Sequence, residues 1–157
     1  MTAKIFLHGL EGSTQGTKAV YFREKYPDMI LEDFMGDLDQ RMKKLENVLS
    51  DRQDICIVGS SFGGLMATLY ALEHASRVAK MILLAPAINV LDRTSYEGRH
   101  ISVPVWIYHG RSDEVIPLDE VASRARELFT HLSFHTVDDD HFLHKTFKGM
   151  DWDTLLS

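Results

Sequence analysis

Short apolar runs alternate along this chain with longer stretches in which apolar residues recur every three or four positions. Residues 4–8, 55–58, 80–85 and 103–109 are compact apolar runs that stop at Gly9, Gly59, Pro86 and Gly110, and such runs read as buried strands. Residues 29–34 form a strand candidate that carries two acids, and residues 133–137 form a short last one. Between them the spacing predicts helices over residues 17–26, 38–49, 65–74 and about 119–132. Residues 89–101 read as polar and irregular, and the tail over residues 142–156 reads as a helix broken at Gly149. Strands that are nearly all apolar, alternating with helices, predict one α/β domain over residues 1–157 with a mostly parallel sheet covered on both faces.

Composition narrows the class. At 157 residues the chain is the size of one domain, and no apolar run nears the roughly 20 residues needed to cross a bilayer. A net charge of -6 without a basic cluster argues against nucleic acid and anionic membrane surfaces as partners. A single cysteine, Cys56, sits in an apolar run and reads as a packing residue. Together with an N-terminus that runs straight into a strand, it sets a cytoplasmic expectation.

The chemistry enters at Gly59-Ser60-Ser61-Phe62-Gly63-Gly64, where Gly-x-Ser-x-Gly lies between a predicted strand and a predicted helix. A strand turning sharply into a helix strains its central residue and leaves no room for side chains at the flanking positions. The glycine spacing therefore selects Ser61 as nucleophile over its neighbour Ser60, which lines the turn.

A serine hydroxyl attacks only when a base takes its proton and a third group orients the base. Asp113 follows the fifth strand and His141 the sixth, and Ser, Asp, His is the chain order of such sites in this kind of fold. Asp92 is the fallback acid and His144, expected within the following helix, the rival base. His8 and His109 each precede a glycine at a strand end and border the site. A metal site is a competing reading of His141, His144 and Asp138 to Asp140, but ligand spacing is absent, so neither metal nor cofactor is expected. The oxyanion of an acyl-transfer intermediate needs N–H donors, and Phe62 and Leu10 stand where those amides belong. His8, Gly9, Ser60 and Phe142 are candidate substrate contacts.

These motifs, with His109-Gly110 through Asp113, Val115 to Pro117 and Asp140-His141, resemble the α/β-hydrolase superfamily over essentially the whole chain. Within it the chain looks like the small, lidless bacterial esterases of the YqiA-like group. The resemblance implies an α/β-hydrolase fold lacking the usual first two strands, with six strands in the order 2-1-3-4-5-6 and no lid domain. It also implies an ester or thioester hydrolase acting on small-molecule substrates. Short acyl groups suit the apolar Leu10, Phe62 and Phe142. An amidase, peptidase or carbon–carbon bond hydrolase on the same fold, or an inactive binding protein, are the alternatives. Substrate identity and oligomeric state are open at this stage.

Overall fold

A computed structural model describes residues 2–157. Its centre is one parallel sheet of six strands in the order β2-β1-β3-β4-β5-β6. The strands are β1 (Ala3–Leu7), β2 (Ile30–Leu31), β3 (Ile55–Ser60), β4 (Val78–Leu84), β5 (Val105–Gly110) and β6 (Leu132–Val137). The helices are α1 (Thr17–Lys25), α2 (Leu38–Val48), α3 (Phe62–His74), α4 (Leu118–Leu128) and α5 (Trp152–Leu155).

The twofold alternation of strand side chains divides the core into two layers. Ile5 and Leu7 of β1, Ile57 of β3 and Met81 and Leu83 of β4 face one side, where Leu45, Met66, Tyr70, Val121 and Leu128 of α2, α3 and α4 cover them. Phe6, Cys56, Val58, Ile82 and Leu84 face the other, under Ala19 and Phe22 of α1 and the C-terminal residues Leu143, Phe147, Trp152 and Leu156. Phe22 anchors that second layer edge-on to Trp152 at 4.9 Å and to Phe147 at 5.5 Å between ring centroids. Both faces being buried explains why the central strands read as unbroken apolar runs.

Four sequence expectations shift. The second strand pairs only at Ile30 and Leu31, because the chain leaves the sheet and donates the Phe34 N–H to His8 Nε2 at 2.9 Å. The α4 helix stops at Leu128, and Phe129 turns extended to bridge Ile101. Residues 89–101 hold two short 3-10 turns, with Leu91, Tyr96 and Ile101 buried and Arg93 and Tyr96 bonded to Glu127 of α4.

The tail is not one helix but a turn-rich segment with a 3-10 turn at Phe147–Gly149 before α5. The amides a helix would use there are taken by aspartates. Asp139 accepts from the N–H groups of Lys145 (2.9 Å) and Thr146 (2.8 Å), and Asp140 from that of Phe142 (3.0 Å). Side-chain bonds of this kind compete directly with the helical ladder.

Candidate active site

The turn from β3 into α3 is built by close backbone approach. A Cβ on Gly59 would lie 2.5 Å from the Gly63 carbonyl oxygen, one on Gly63 would collide with the Leu7 carbonyl, and one on Gly64 would lie 2.6 Å from Pro86 Cβ. Between these glycines Ser61 takes φ +55° and ψ −115°, a conformation that costs a non-glycine residue about 1–3 kcal/mol. Its peptide groups hold it there. Ser61 N–H donates to the Leu84 carbonyl at 2.9 Å, and its own carbonyl accepts from the N–H groups of Gly64 (2.9 Å) and Ala87 (2.9 Å).

The other two candidates reach Ser61 from the ends of β5 and β6. His141 Nε2 lies 3.1 Å from Ser61 Oγ, and His141 Nδ1 lies 2.8 Å from Asp113 Oδ2. The Asp113 side chain is fully buried, and its Oδ1 accepts from the N–H groups of Val115 and Ile116 at 2.8 Å each. A second buried imidazole completes its surroundings. His109 Nε2 donates to the Ile116 carbonyl at 2.9 Å and lies 3.2 Å from Asp113 Oδ2. Burial pushes the His109 pKa below its ordinary value, against the smaller opposing pull of the Ile116 carbonyl and Asp113, so the ring is a neutral donor at pH 7.

His141 sits on a loop fixed by carboxylates. Buried Asp139 holds Asp140 N–H (2.8 Å) on one oxygen and the Lys145 and Thr146 N–H groups on the other. Burial alone would raise its pKa, but hydrogen bonds led by Thr146 outweigh burial and hold the carboxyl below its ordinary range. Lys18 Nζ adds an outer tether by donating to the Phe142 carbonyl at 2.7 Å. A Cβ on Gly110 would collide with the Asp139 carbonyl, so this loop packs directly on the end of β5.

The loop after β1 lies against Ser61, so close that a Cβ on Gly9 would stand 3.4 Å from Ser61 Cβ. Since His8 Nε2 accepts from Phe34, its Nδ1 carries the proton and donates to the Gly9 carbonyl at 2.7 Å, and Gly12 N–H binds the same carbonyl at 3.0 Å. In a trans peptide N–H and C=O point oppositely, so pinning this carbonyl fixes the direction of the Leu10 N–H. Phe62 N–H opens α3 and has no intrahelical acceptor. Among the described residues, neither amide donates to a protein acceptor.

Ser61, His141 and the loop after β1 border a cleft of about 800 Å³ that also takes in Ser60, with Phe6, Ala19, Leu143 and Phe147 as apolar walls. Leu10, Val115 and Phe142 stand exposed around its mouth, and no residue from 89–101 lines it. His8 borders the cleft but spends both ring nitrogens on the scaffold. His144 lies in a turn rather than a helix, bonded to Asp140 at 2.7 Å, and Asp92 is occupied capping Thr94 N–H at 3.0 Å. Sequence reasoning missed Asp139, the His109 contact with Asp113, and Arg41, which reaches the Leu10 carbonyl. Only the Arg41 bond spans a long stretch of sequence; the His109 and Asp139 contacts close over turns of a few residues whose geometry no local pattern marks.

The fold is that of the α/β hydrolases. A family model described as serine aminopeptidase, S33, matches residues 29–96, which contain Ser61 but neither Asp113 nor His141. An esterase from Exiguobacterium antarcticum shares 15% identity at a TM-score of 0.79, covering 99% of this chain and 91% of that one. A hydrolase from Agrobacterium vitis described as putative shares 18% at 0.80, covering 99% and 88%. The mouse alpha/beta hydrolase domain-containing protein 10 shares 18% at 0.77, covering 99% and 90%. No curated protein matches the sequence. No helix among the described residues is long and apolar enough to cross a membrane.

Proposed function

We propose that this protein is a serine hydrolase that cleaves carboxylic or thio esters of small or short-chain acyl substrates through an acyl-enzyme. The observation that carries the reading is the continuous bonded path Ser61–His141–Asp113, with contacts of 3.1 Å and 2.8 Å, opening on a cleft beside two unpaired amides.

In this mechanism His141 Nε2 takes the hydroxyl proton as Ser61 Oγ attacks the substrate carbonyl. Asp113, its charge held by backbone N–H groups, keeps Nδ1–H oriented and stabilises the imidazolium. The N–H groups of Leu10 and Phe62 receive the oxyanion. As the tetrahedral intermediate collapses, His141 gives its proton to the departing alcohol or thiol. It then draws a proton from water as that water attacks the acyl-enzyme, and returns it to Ser61 Oγ as the acid leaves. His8 serves by orienting the Gly9–Leu10 peptide, while Gly9, Ser60 and Phe142 border the bound acyl group. Apolar walls and an exposed apolar rim suit an uncharged acyl chain.

The aminopeptidase description of the partial family match supports a second reading, cleavage of an N-terminal amide bond by the same residues. A panel of p-nitrophenyl acetate and butyrate beside aminoacyl p-nitroanilides separates the two. The ester reading expects turnover of the esters, and exclusive turnover of the anilides would overturn it. Ser61→Ala is expected to lower kcat by about 10⁴-fold or more. Unchanged ester turnover in that variant would overturn both.

A further inference from the structure

Arg41 of α2 is 3% exposed, yet no carboxylate lies within ion-pair distance of it among the described residues. Its Nε donates to the Gly36 carbonyl at 2.9 Å and its Nη2 to the Leu10 carbonyl at 3.2 Å, and Nη1 has no protein partner. The guanidinium carbon stands 5.1 Å from the centre of the Phe62 ring. One side chain thus touches both residues whose amides are proposed to receive the oxyanion.

A buried, unpaired guanidinium is costly, and an apolar side chain of similar volume would fill this space at lower cost. Burial pushes the Arg41 pKa down, but arginine starts so high that the group keeps its charge at pH 7. Packing alone therefore gives no reason for an arginine here.

The geometry supplies one. The loop after β1 turns at Gly9–Gly12, and the Leu10–Glu11 peptide is its middle unit, the unit free to rotate in such a turn. The His8 and Gly12 bonds fix the peptide before it, and the Arg41 bond fixes this one. The Phe62 ring beneath the guanidinium ties the same clamp to the start of α3.

We propose that Arg41 is a positioning residue for the oxyanion amides. It locks the Leu10 turn in its receptive form and sets an uncompensated positive charge behind the Leu10 and Phe62 amides. Arg41 does not line the cleft, so it acts through Leu10 and Phe62 and leaves ground-state substrate binding alone. This inference rests on the acyl-transfer reading of Ser61.

The test compares wild type with Arg41→Met, which keeps the volume, and Arg41→Lys, which keeps the charge but loses the fork that spans two carbonyls. Steady-state hydrolysis of p-nitrophenyl butyrate is measured beside inhibition by a short alkyl trifluoromethyl ketone, whose adduct with serine carries an oxyanion. Arg41→Met is expected to lose about 10- to 100-fold in kcat, with KM within about threefold and the ketone Ki weakened in parallel with kcat/KM. Its melting temperature should equal or exceed that of wild type, since a buried lone charge has gone. Arg41→Lys is expected to lose less kcat than Arg41→Met, again at constant KM, and decides the matter if Arg41→Met does not fold.

Full kcat in a folded variant would overturn the proposal. So would a loss confined to KM, or a kcat loss without weaker ketone inhibition. A wild type inert to esters and to the ketone would instead overturn the hydrolase reading itself.

Discussion

The two halves of the site are held in place by different physics. Ser61 sits on a turn fixed by steric exclusion, where glycines are required because backbone atoms occupy the space of a Cβ. Asp113 and His141 sit on loops fixed by hydrogen bonds, in which buried carboxylates collect N–H groups that no helix or strand uses. Steric construction is unforgiving. Hydrogen-bonded construction is distributed, and each bond can be lost with a graded penalty.

The largest effect expected from this contrast is on the steric side. Gly63→Ala drives a methyl into the Leu7 carbonyl, so we expect a loss of about 3 kcal/mol or more in unfolding free energy, measured by urea denaturation. A variant as stable as wild type would break the steric account of the turn.

On the hydrogen-bonded side, Asp139→Asn sets an amide NH₂ against N–H donors. We expect a stability loss of about 2 kcal/mol and about a tenfold drop in kcat as His141 loosens. The sign with pH follows from the carboxyl being held below its ordinary 3.8. Its stabilising contribution is complete above that ordinary value and is lost as pH falls through the lower folded one. The gap in unfolding free energy between wild type and Asp139→Asn should therefore persist from pH 7 to 5 and narrow below about 3.8. A gap that widened in acid would contradict the arrangement.

The smallest effects sharpen the same comparison. Asp92→Asn and His144→Ala alter exposed side chains that make only local bonds, so kcat/KM is expected to stay within about threefold of wild type. A larger loss in Asp92→Asn would reassign the orienting acid, and one in His144→Ala would reassign the base.

The same contrast explains what could be read from the chain. The alternation of strands and helices was legible because two-sided burial writes continuous apolar runs into β1, β3 and β4, whereas the strand order followed only from the resemblance to α/β hydrolases. The Ser61 turn was legible because its glycines stand at a fixed spacing around the serine, although Leu7 and Pro86 supply some of the atoms that exclude their side chains. Asp113 and His141 were legible as strand-end residues in the right order, and the structure brings both to Ser61.

The supports of the site were not legible. Asp139 entered only through the metal reading that was set aside, yet it is buried and organises the residues after His141. The tail read as a helix because its composition allows one, and the carboxylates of Asp139 and Asp140 overrode that tendency. Arg41 drew no role from the sequence, since nothing near it records its reach to Leu10.

The central claim is that His141 activates Ser61. Covalent labelling by a fluorophosphonate probe tests it most directly, run on wild type, Ser61→Ala and His141→Ala with their folding checked by circular dichroism. We expect rapid stoichiometric labelling of wild type, none of Ser61→Ala, and labelling of His141→Ala slowed by about 10³-fold or more. Equal labelling of wild type and either folded variant would contradict the account.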